Sequence, residues 1–445
     1  MSKKKMKKPL KITLISVGSV LLVVILVAIS YLGYVIGSYS RIGDIALEVN
    51  NNQTATIKSS DIDSKSFKIT SYNIGFGAYE RDYSFFMDSS VFKEEYVASQ
   101  GRKQTTGKHA HALSKERALF NTNGAYDTIL KVTDLDFALY QEVDTSSTRS
   151  YKVNQVEIGN EKHAGYASVY GVNYHSAYLA YPFNEPIGKS NSGISTYSKY
   201  KIADANRYEF KITDSFFGKF FDLDRSFTVS EIAIEGSTQK LYIFNVHMSA
   251  YDENGVVRKV QLQQLKEAYK LARDIDGEDN FVIIGGDFNH DLVIDNPLTS
   301  TEYKNNFFNA QETDGLNTDW YNYLRLNPSL DGQTVTNLWG EEEVYQYDFK
   351  DTDITAHGPT NYPTCRDASI NFLDKNENGI IDNFMVTIDG FLVSDNIEVV
   401  SIETLDSAGS VYQQENLLET DPRYGYGFVY SDHNPVLMEF KIKSS

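Results

Sequence analysis

The sequence predicts a strand-rich α/β domain carried behind a single apolar helix, on three observations. Short runs of alternating apolar and polar residues recur along most of the chain, helical spacing lies between some of them, and one stretch near the N-terminus carries no charge. The 445 residues far exceed the need of one small core, leaving room for one large domain or two ordinary ones. Apolar residues make up 41% and aromatics 13%, and the 31 tyrosines pack well on pleated surfaces.

The first element is the apolar stretch. Between Lys11 and Arg41 no charged residue occurs, and Ile12 to Ile36 is almost wholly apolar. At about 1.5 Å per residue this run reaches roughly 37 Å, enough to cross a hydrocarbon core of about 30 Å with some tilt. Lys3, Lys4, Lys5, Lys7 and Lys8 flank it, which by the positive-inside rule places the N-terminus in the cytoplasm and the rest outside. A cleaved signal peptide is the plain alternative, but its apolar core is normally roughly 7–15 residues. The expected organisation is a basic tail at 1–11, a transmembrane helix at 12–36, a polar linker at 37–66 and a domain at 67–442.

Within the domain, Phe67 to Asn73 alternates like a half-buried strand, and Lys115 to Val132 has helical spacing. Asp136 to Tyr140, Leu241 to His247, Phe281 to Ile284 and Val436 to Ile442 repeat the strand signature. Several of these strands end on polar residues (Asn73, Glu142, His247, Asp287), as they do where an open sheet presents a site.

Charge narrows the function classes. The formal net charge is −18 although the N-terminal tail is rich in lysine, so the domain is strongly acidic. Such a surface repels polyanions at long range and offers no general footprint for duplex DNA. It does not exclude phosphate chemistry, because bound divalent cations reverse the local field. With Cys365 the one cysteine, no intramolecular disulfide can form.

Five short segments carry the chemistry. In Ile284-Gly285-Gly286-Asp287-Phe288-Asn289 a strand runs into two glycines, then a carboxylate that can bind a hard cation or orient water, then an amide that can donate to a phosphoryl oxygen. An ordinary turn would show the same pattern. In Ser431-Asp432-His433-Asn434-Pro435 the adjacent Asp and His point to opposite sides of an extended chain. His433 therefore requires another carboxylate to orient it as a general base, and Asp382 in Ile381-Asp382-Asn383 is the candidate; a capping turn is the alternative. Asn245-Val246-His247-Met248-Ser249 ends a strand with a second histidine, and Tyr140-Gln141-Glu142-Val143 ends another with an acid that could hold a metal.

Taken in order, SYN at 71–73, LYQEV at 139–143, SGIST at 192–196, NVHMSA at 245–250, GGDFN at 285–289, IDNFMV at 381–386 and SDHNPV at 431–436 resemble the endonuclease/exonuclease/phosphatase superfamily over roughly residues 67–442. The resemblance implies a four-layered αββα sandwich with its site at one rim of the two sheets. It also implies a phosphoesterase that requires a divalent cation, Mg²⁺ first, with Mn²⁺ or Ca²⁺ as alternatives. Carried over by position, Glu142 is the principal metal ligand, with Asn73 and Asp432 beside it. His433 is the general base oriented by Asp382, and His247 donates to a phosphate oxygen. Asp287 and Asn289 orient the nucleophile and hold the phosphoryl group, and Arg225 contacts phosphate. Asn383, where many relatives have an aromatic or histidine, departs from the pattern.

The expected partner is a phosphoester substrate, nucleic acid first and a phospholipid head group or inositol phosphate second; no protein partner is expected. A non-catalytic surface binding module is the rival class, and the presence of the whole residue set argues against it. The remaining features are a basic cluster at 102–117, an aromatic insertion at 301–364, a Phe-rich stretch at Phe216–Phe221 and a calcium-loop-like start at Asp374. Each also fits ordinary surface or core packing.

Overall fold

The computed structural model describes residues 8–38, 40–52, 55–81, 83–86, 107–212, 224–250, 256–292, 326, 331–336, 342–344, 346–366, 385–405, 407 and 427–444. The strands in chain order are β1 (Ile45–Ala46), β2 (Ile57–Lys58), β3 (Ser66–Asn73), β4 (Phe137–Asp144), β5 (Ala167–His175), β6 (Asn191–Ser198), β7 (Ile202–Glu209), β8 (Ser226–Glu235), β9 (Lys240–His247), β10 (Phe281–Asp287), β11 (Thr334–Thr336), β12 (Glu342–Val344), β13 (Thr355–His357), β14 (Cys365–Arg366), β15 (Met385–Val386), β16 (Asp389–Val393), β17 (Ile397–Thr404) and β18 (Val436–Ile442). The helices are α1 (Lys8–Gly37), α2 (Lys115–Leu130), α3 (Gln155–Lys162) and α4 (Val256–Asp274).

Two mixed sheets result. The first has the order β1-β7-β8-β9-β10-β16-β13, with β2 alongside β8, and the second β17-β18-β3-β4-β6-β5. Strand alternation explains how they stack. On β9, Leu241 and Ile243 enter the core between the sheets, whereas Tyr242, Phe244 and Val246 join Leu262, Leu265 and Tyr269 of α4 on the far side. On the second sheet, Phe67, Ile69, Phe137 and Leu139 face the same central core, and Tyr72, Ala138 and Tyr140 pack against Ala125, Tyr126 and Ile129 of α2. The layers are therefore helix, sheet, sheet, helix, the four-layered sandwich implied by the motifs.

Helix α2 begins where expected, because the Ser114 hydroxyl accepts from the Arg117 amide and caps its first turn. In α1, Ile12–Gly37 is long and apolar enough to cross a membrane, and its most apolar 18-residue window has no buried residue. Residues 37–66, expected to be a linker, contribute to the sandwich. Ile45 and Ala46 pair with Arg207 and Asn206, Ile57 pairs with Ile234, and Ile57 is fully buried in the central core. Two-residue strands in a polar stretch lack the periodicity that marks a strand, so the sequence pattern conceals these edge pairings.

Candidate active site

Strand register gathers the polar strand ends into two facing rows. In the first sheet Asp287 lies beside His247 on the parallel β9 and beside Asp389 on the antiparallel β16. In the second, Asn73 lies beside Gln141, and His433 stands just before β18, which pairs with β3. Asp287 has the parity of Phe281 and Ile283, and His247 that of Leu241 and Ile243, so both side chains point into the gap between the sheets.

The glycines before Asp287 are there for space. A Cβ on Gly285 would lie 2.6 Å from the Phe391 ring, and one on Gly286, at φ +145°, would lie 2.1 Å from the Val246 carbonyl oxygen.

Glu142 breaks the alternation. Its parity would turn it with Tyr140 toward α2, but the register of β4 against β6 shifts between Tyr140 and Val143, and Glu142 adopts φ +55°. This bulge turns the carboxylate back to the rim, where Oε1 lies 3.8 Å from His247 Nε2. Gln141, one residue earlier, donates to Asn245 Oδ1 at 2.8 Å, and Asn245 donates to the Ser195 carbonyl at 2.9 Å. These amides tie the two sheets together directly beneath the site. Sequence reasoning missed both, although each sits within two residues of a motif acid or histidine.

The centre is a buried hydrogen-bonded set. His433 Nδ1 donates to Asp389 Oδ2 at 2.7 Å. Asp287 Oδ2 lies 3.7 Å from His433 Nε2 and 3.6 Å from His247 Nε2, nearly midway between the two imidazoles. Asn73 Nδ2 donates to Asp287 Oδ2 at 3.0 Å, and the Asn289 amide nitrogen donates to Asp287 Oδ1 at 3.0 Å. Asn289, at φ +49°, sends its side-chain amide to the Met248 carbonyl at 2.9 Å. The Ser431 hydroxyl donates to the Asn73 carbonyl at 2.7 Å and accepts from the His433 amide at 3.2 Å, locking His433 to β3.

Asp382, the carboxylate expected beside His433, lies outside the described residues; the carboxylate found there is Asp389. The chain contains two similar segments, Ile381-Asp382-Asn383-Phe384 and Ile388-Asp389-Gly390-Phe391, and the second runs into β16. Asn73 also differs in its contacts. Its amide joins Asp287 and approaches His433 Nε2 at 3.5 Å, and its Oδ1 accepts from the Gly75 amide. Cys365 is a further neighbour of His433, bridged to it through the backbone, and burial pushes its thiol up to about 12.

The two histidines have opposite electrostatics. Burial, then Arg225, His433 and Arg149, hold His247 well below the usual imidazole range, so it is neutral at pH 7. Burial also disfavours the charged form of His433, but Asp389, Cys365 and Asp287 outweigh it and raise the ring well above that range. Burial is the main reason Asp287 is pushed up to about 6, opposed by the His433 charge.

Arg225, which the resemblance assigns to phosphate, acts electrostatically on Glu142 and His247. Arg149, which the sequence did not single out, does the same while bound to Asp144 Oδ1 at 3.0 Å and stacked over the Phe76 ring at 3.7 Å.

Asp287, Asp389 and His433 offer ligand atoms within 4.8 Å of one another. Since Nδ1 of His433 is committed to Asp389, this set fits a positioned base better than a metal cage. Glu142 is the better metal candidate. Partial burial and the Asp432 charge raise its carboxyl, against the pull of Arg149 and Arg225. Two crowded carboxylates form an oxygen donor pair whose repulsion a hard divalent cation would relieve.

Of the basic cluster, Arg102 and Lys103 lie outside the described residues, His109 approaches Glu185 at 3.7 Å and Arg117 pairs with Glu80. From the aromatic insertion, Tyr347 is core, while Trp320, Tyr321, Tyr323, Trp339 and Tyr345 lie outside the described residues, as do Phe216–Phe221 and the segment starting at Asp374.

No family model matches this chain, and no curated protein matches it. Among solved structures, it is similar to ANGEL2, described as a 2′,3′-cyclic phosphatase, in complex with adenosine-2′,3′-vanadate, at 14% identity and a TM-score of 0.45. That alignment covers 90% of this chain and 99% of the other. An endonuclease/exonuclease/phosphatase from Beutenbergia cavernae DSM 12333 aligns over 85% of this chain and 72% of its own, at 13% identity and a TM-score of 0.42. The mannosyl-6-phosphatase Bt3783 of Bacteroides thetaiotaomicron VPI-5482 aligns over 84% and 99%, at 14% identity and a TM-score of 0.40.

Proposed function

We propose that this chain is a divalent-cation-dependent phosphoester hydrolase of the endonuclease/exonuclease/phosphatase type, anchored to a membrane by α1 with its domain outside. The observation that carries the reading is the buried Asp389–His433 pair, joined at 2.7 Å, whose other ring edge faces Asp287 and, across it, His247. This is a base, its orienting acid and a second imidazole around one small space, with a crowded carboxylate pair alongside.

In this mechanism the neutral form of His433, the minor form at pH 7 because its neighbours raise the ring, takes a proton from water at Nε2 while Asp389 fixes the ring through Nδ1. The water oxygen forms the new bond to phosphorus, the bond to the departing oxygen breaks with its electron pair, and that oxygen takes up a proton. Asp287 orients the water and Asn289 the phosphoryl group. His247, neutral because it is buried beside cations, donates its N–H to a non-bridging oxygen that gains charge in the transition state. Arg225 and Arg149 add positive potential there. A divalent cation, held by Glu142 with Asp432 and Asn73, would neutralise charge on the phosphoryl and departing oxygens.

The test is hydrolysis of bis(p-nitrophenyl) phosphate by the full-length protein in detergent, with Mg²⁺, Mn²⁺ or Ca²⁺ or with chelator. Turnover that needs a cation and disappears in His433→Ala supports the reading. A folded protein whose rate equals that of His433→Ala under every ion refutes it.

A further inference from the structure

Resting on the proposed phosphoesterase reading, we infer that the substrate is the phosphoester headgroup of a lipid in the bilayer that holds α1. Strand direction supplies the first support. The chain leaving α1 meets the sandwich at its catalytic rim: Ser40 Oγ lies 3.2 Å from His175 Nε2 at the end of β5, and the Ile42 amide donates to Asp224 Oδ1 at 2.8 Å. The buried Arg207 guanidinium then grips the carbonyls of Ile42 at 2.6 Å and Gly43 at 2.8 Å. β5 is two strands from β4 in the sheet order, so at about 4.8 Å per strand this attachment lies roughly 10 Å sideways from the strand carrying Glu142.

The helix itself touches the same rim. Tyr31 donates its hydroxyl to the Tyr178 carbonyl at 3.1 Å and accepts from the Ala180 amide at 2.8 Å, and the Tyr178 amide donates to the Tyr34 hydroxyl at 3.1 Å. From Ile12 to Tyr31 a helix rises about 29 Å, close to the roughly 30 Å of a hydrocarbon core. Tyr31, Tyr34 and the loop they hold therefore lie at headgroup depth, where Tyr and other aromatics concentrate. That loop presents Phe183 at 87%, Tyr181 at 59% and Tyr178 at 44% exposure. Large apolar rings left that open beside a membrane-length helix suit a lipid interface.

The loop is braced against the site. The Tyr181 ring lies 5.7 Å from Phe86, Phe86 lies 4.6 Å from Phe85, and Tyr79 links Phe85 to Phe76, over which Arg149 stacks. A rim fixed at headgroup depth meets lipid phosphates without leaving the surface, whereas the acidic body disfavours a long polyanion. The reaction is the one above, with the lipid phosphorus as the centre attacked.

Full-length protein in nanodiscs of phosphatidylethanolamine, phosphatidylglycerol, cardiolipin and sphingomyelin tests this. Cation-dependent cleavage of lipid phosphoester, read by ³¹P NMR, is expected alongside cleavage of bis(p-nitrophenyl) phosphate. Tyr181→Ser with Phe183→Ser should lower the lipid rate at least tenfold and change the small-diester rate less than twofold. Phe183→Trp should add emission that bromine near the headgroup end of the lipid quenches. Cleavage of the small diester with no lipid product, an equal loss on both substrates, or an unquenched Trp overturns the inference while leaving the phosphoesterase reading intact. Failure on both substrates sinks that reading instead.

Discussion

Replacing Asp389 with Asn isolates the contact on which the mechanism depends. Asp389 is fully buried, its Oδ2 accepts from His433 Nδ1 at 2.7 Å, and its Oδ1 has no hydrogen-bond partner. Asn keeps the shape and removes the charge. A hydrogen bond to a charged group contributes about 1.5–3 kcal/mol, and about 1.4 kcal/mol corresponds to a tenfold change in rate. If the whole of that difference falls on the transition state, kcat drops by roughly 10- to 150-fold. KM should move little, because Asp389 is not among the residues assigned to the phosphoryl group. The assay is cation-dependent turnover of bis(p-nitrophenyl) phosphate, with circular dichroism to confirm the fold. Asp382→Asn is the informative control, expected to stay within twofold of the parent. A large loss in Asp382→Asn with none in Asp389→Asn would refute the pairing and with it the argument from β16.

Three further outcomes follow from the same geometry. Glu142→Gln should raise the cation concentration for half-maximal activity by about tenfold or more, since a hard cation prefers an ionised oxygen ligand; unchanged cation titrations would move the metal elsewhere. Gly286→Ala should cost about 3 kcal/mol or more, combining a positive φ with a 2.1 Å approach to the Val246 carbonyl, and a urea midpoint within error of the parent would contradict it. His163 is buried against Tyr197, with Nδ1 on the Gly159 carbonyl and Nε2 on the Tyr140 hydroxyl, and burial lowers it to about 4 from 6.5. The unfolded chain therefore binds the extra proton, so stability is complete above about pH 6.5 and falls by about 3 kcal/mol as pH drops toward 4. His163→Phe should flatten that slope in urea titrations across this window, whatever it does to the plateau.

The strands and the site differ in how far the sequence exposes them. β3, β9, β10 and β18 fall where alternation placed them, because each carries its own buried face. His247 and Asp287 share a row because both extend the inward parity of their strands, which can be counted from residue 241 or 281. Asp389 was legible by the same count: Asp389, Phe391 and Val393 alternate with Gly390 and Leu392 and lead into Ser394, whereas Asp382 follows a polar run without that pattern. Motif matching chose the first of two similar words; parity favours the second. Glu142 could not be aimed this way, because its direction depends on a bulge against β6, a partner about 50 residues further along the chain. The pairing of Ile45–Ala46 and Ile57–Lys58 was hidden for a different reason: two-residue strands have no period.

Charge offers a last discriminator between a polyanion and a single headgroup. The chain carries −18, yet the residues acting on Glu142 include Arg149 and Arg225, and the Debye length is about 8 Å at physiological ionic strength. A one-phosphate substrate that reaches the rim meets those cations at short range, and the rest of the acidic surface is screened from it. A nucleic acid must lie across several Debye lengths of that surface and meets its carboxylates one after another. Cleavage of single-stranded DNA should therefore speed up as salt is raised from low values, while bis(p-nitrophenyl) phosphate, with a single charge, should change little. A binding stripe for nucleic acid gives the opposite sign, because counterion release makes affinity fall as salt rises. A DNA rate that falls steeply with salt would show that cationic residues outside the rim dominate binding, and a lipid headgroup would no longer be the better substrate.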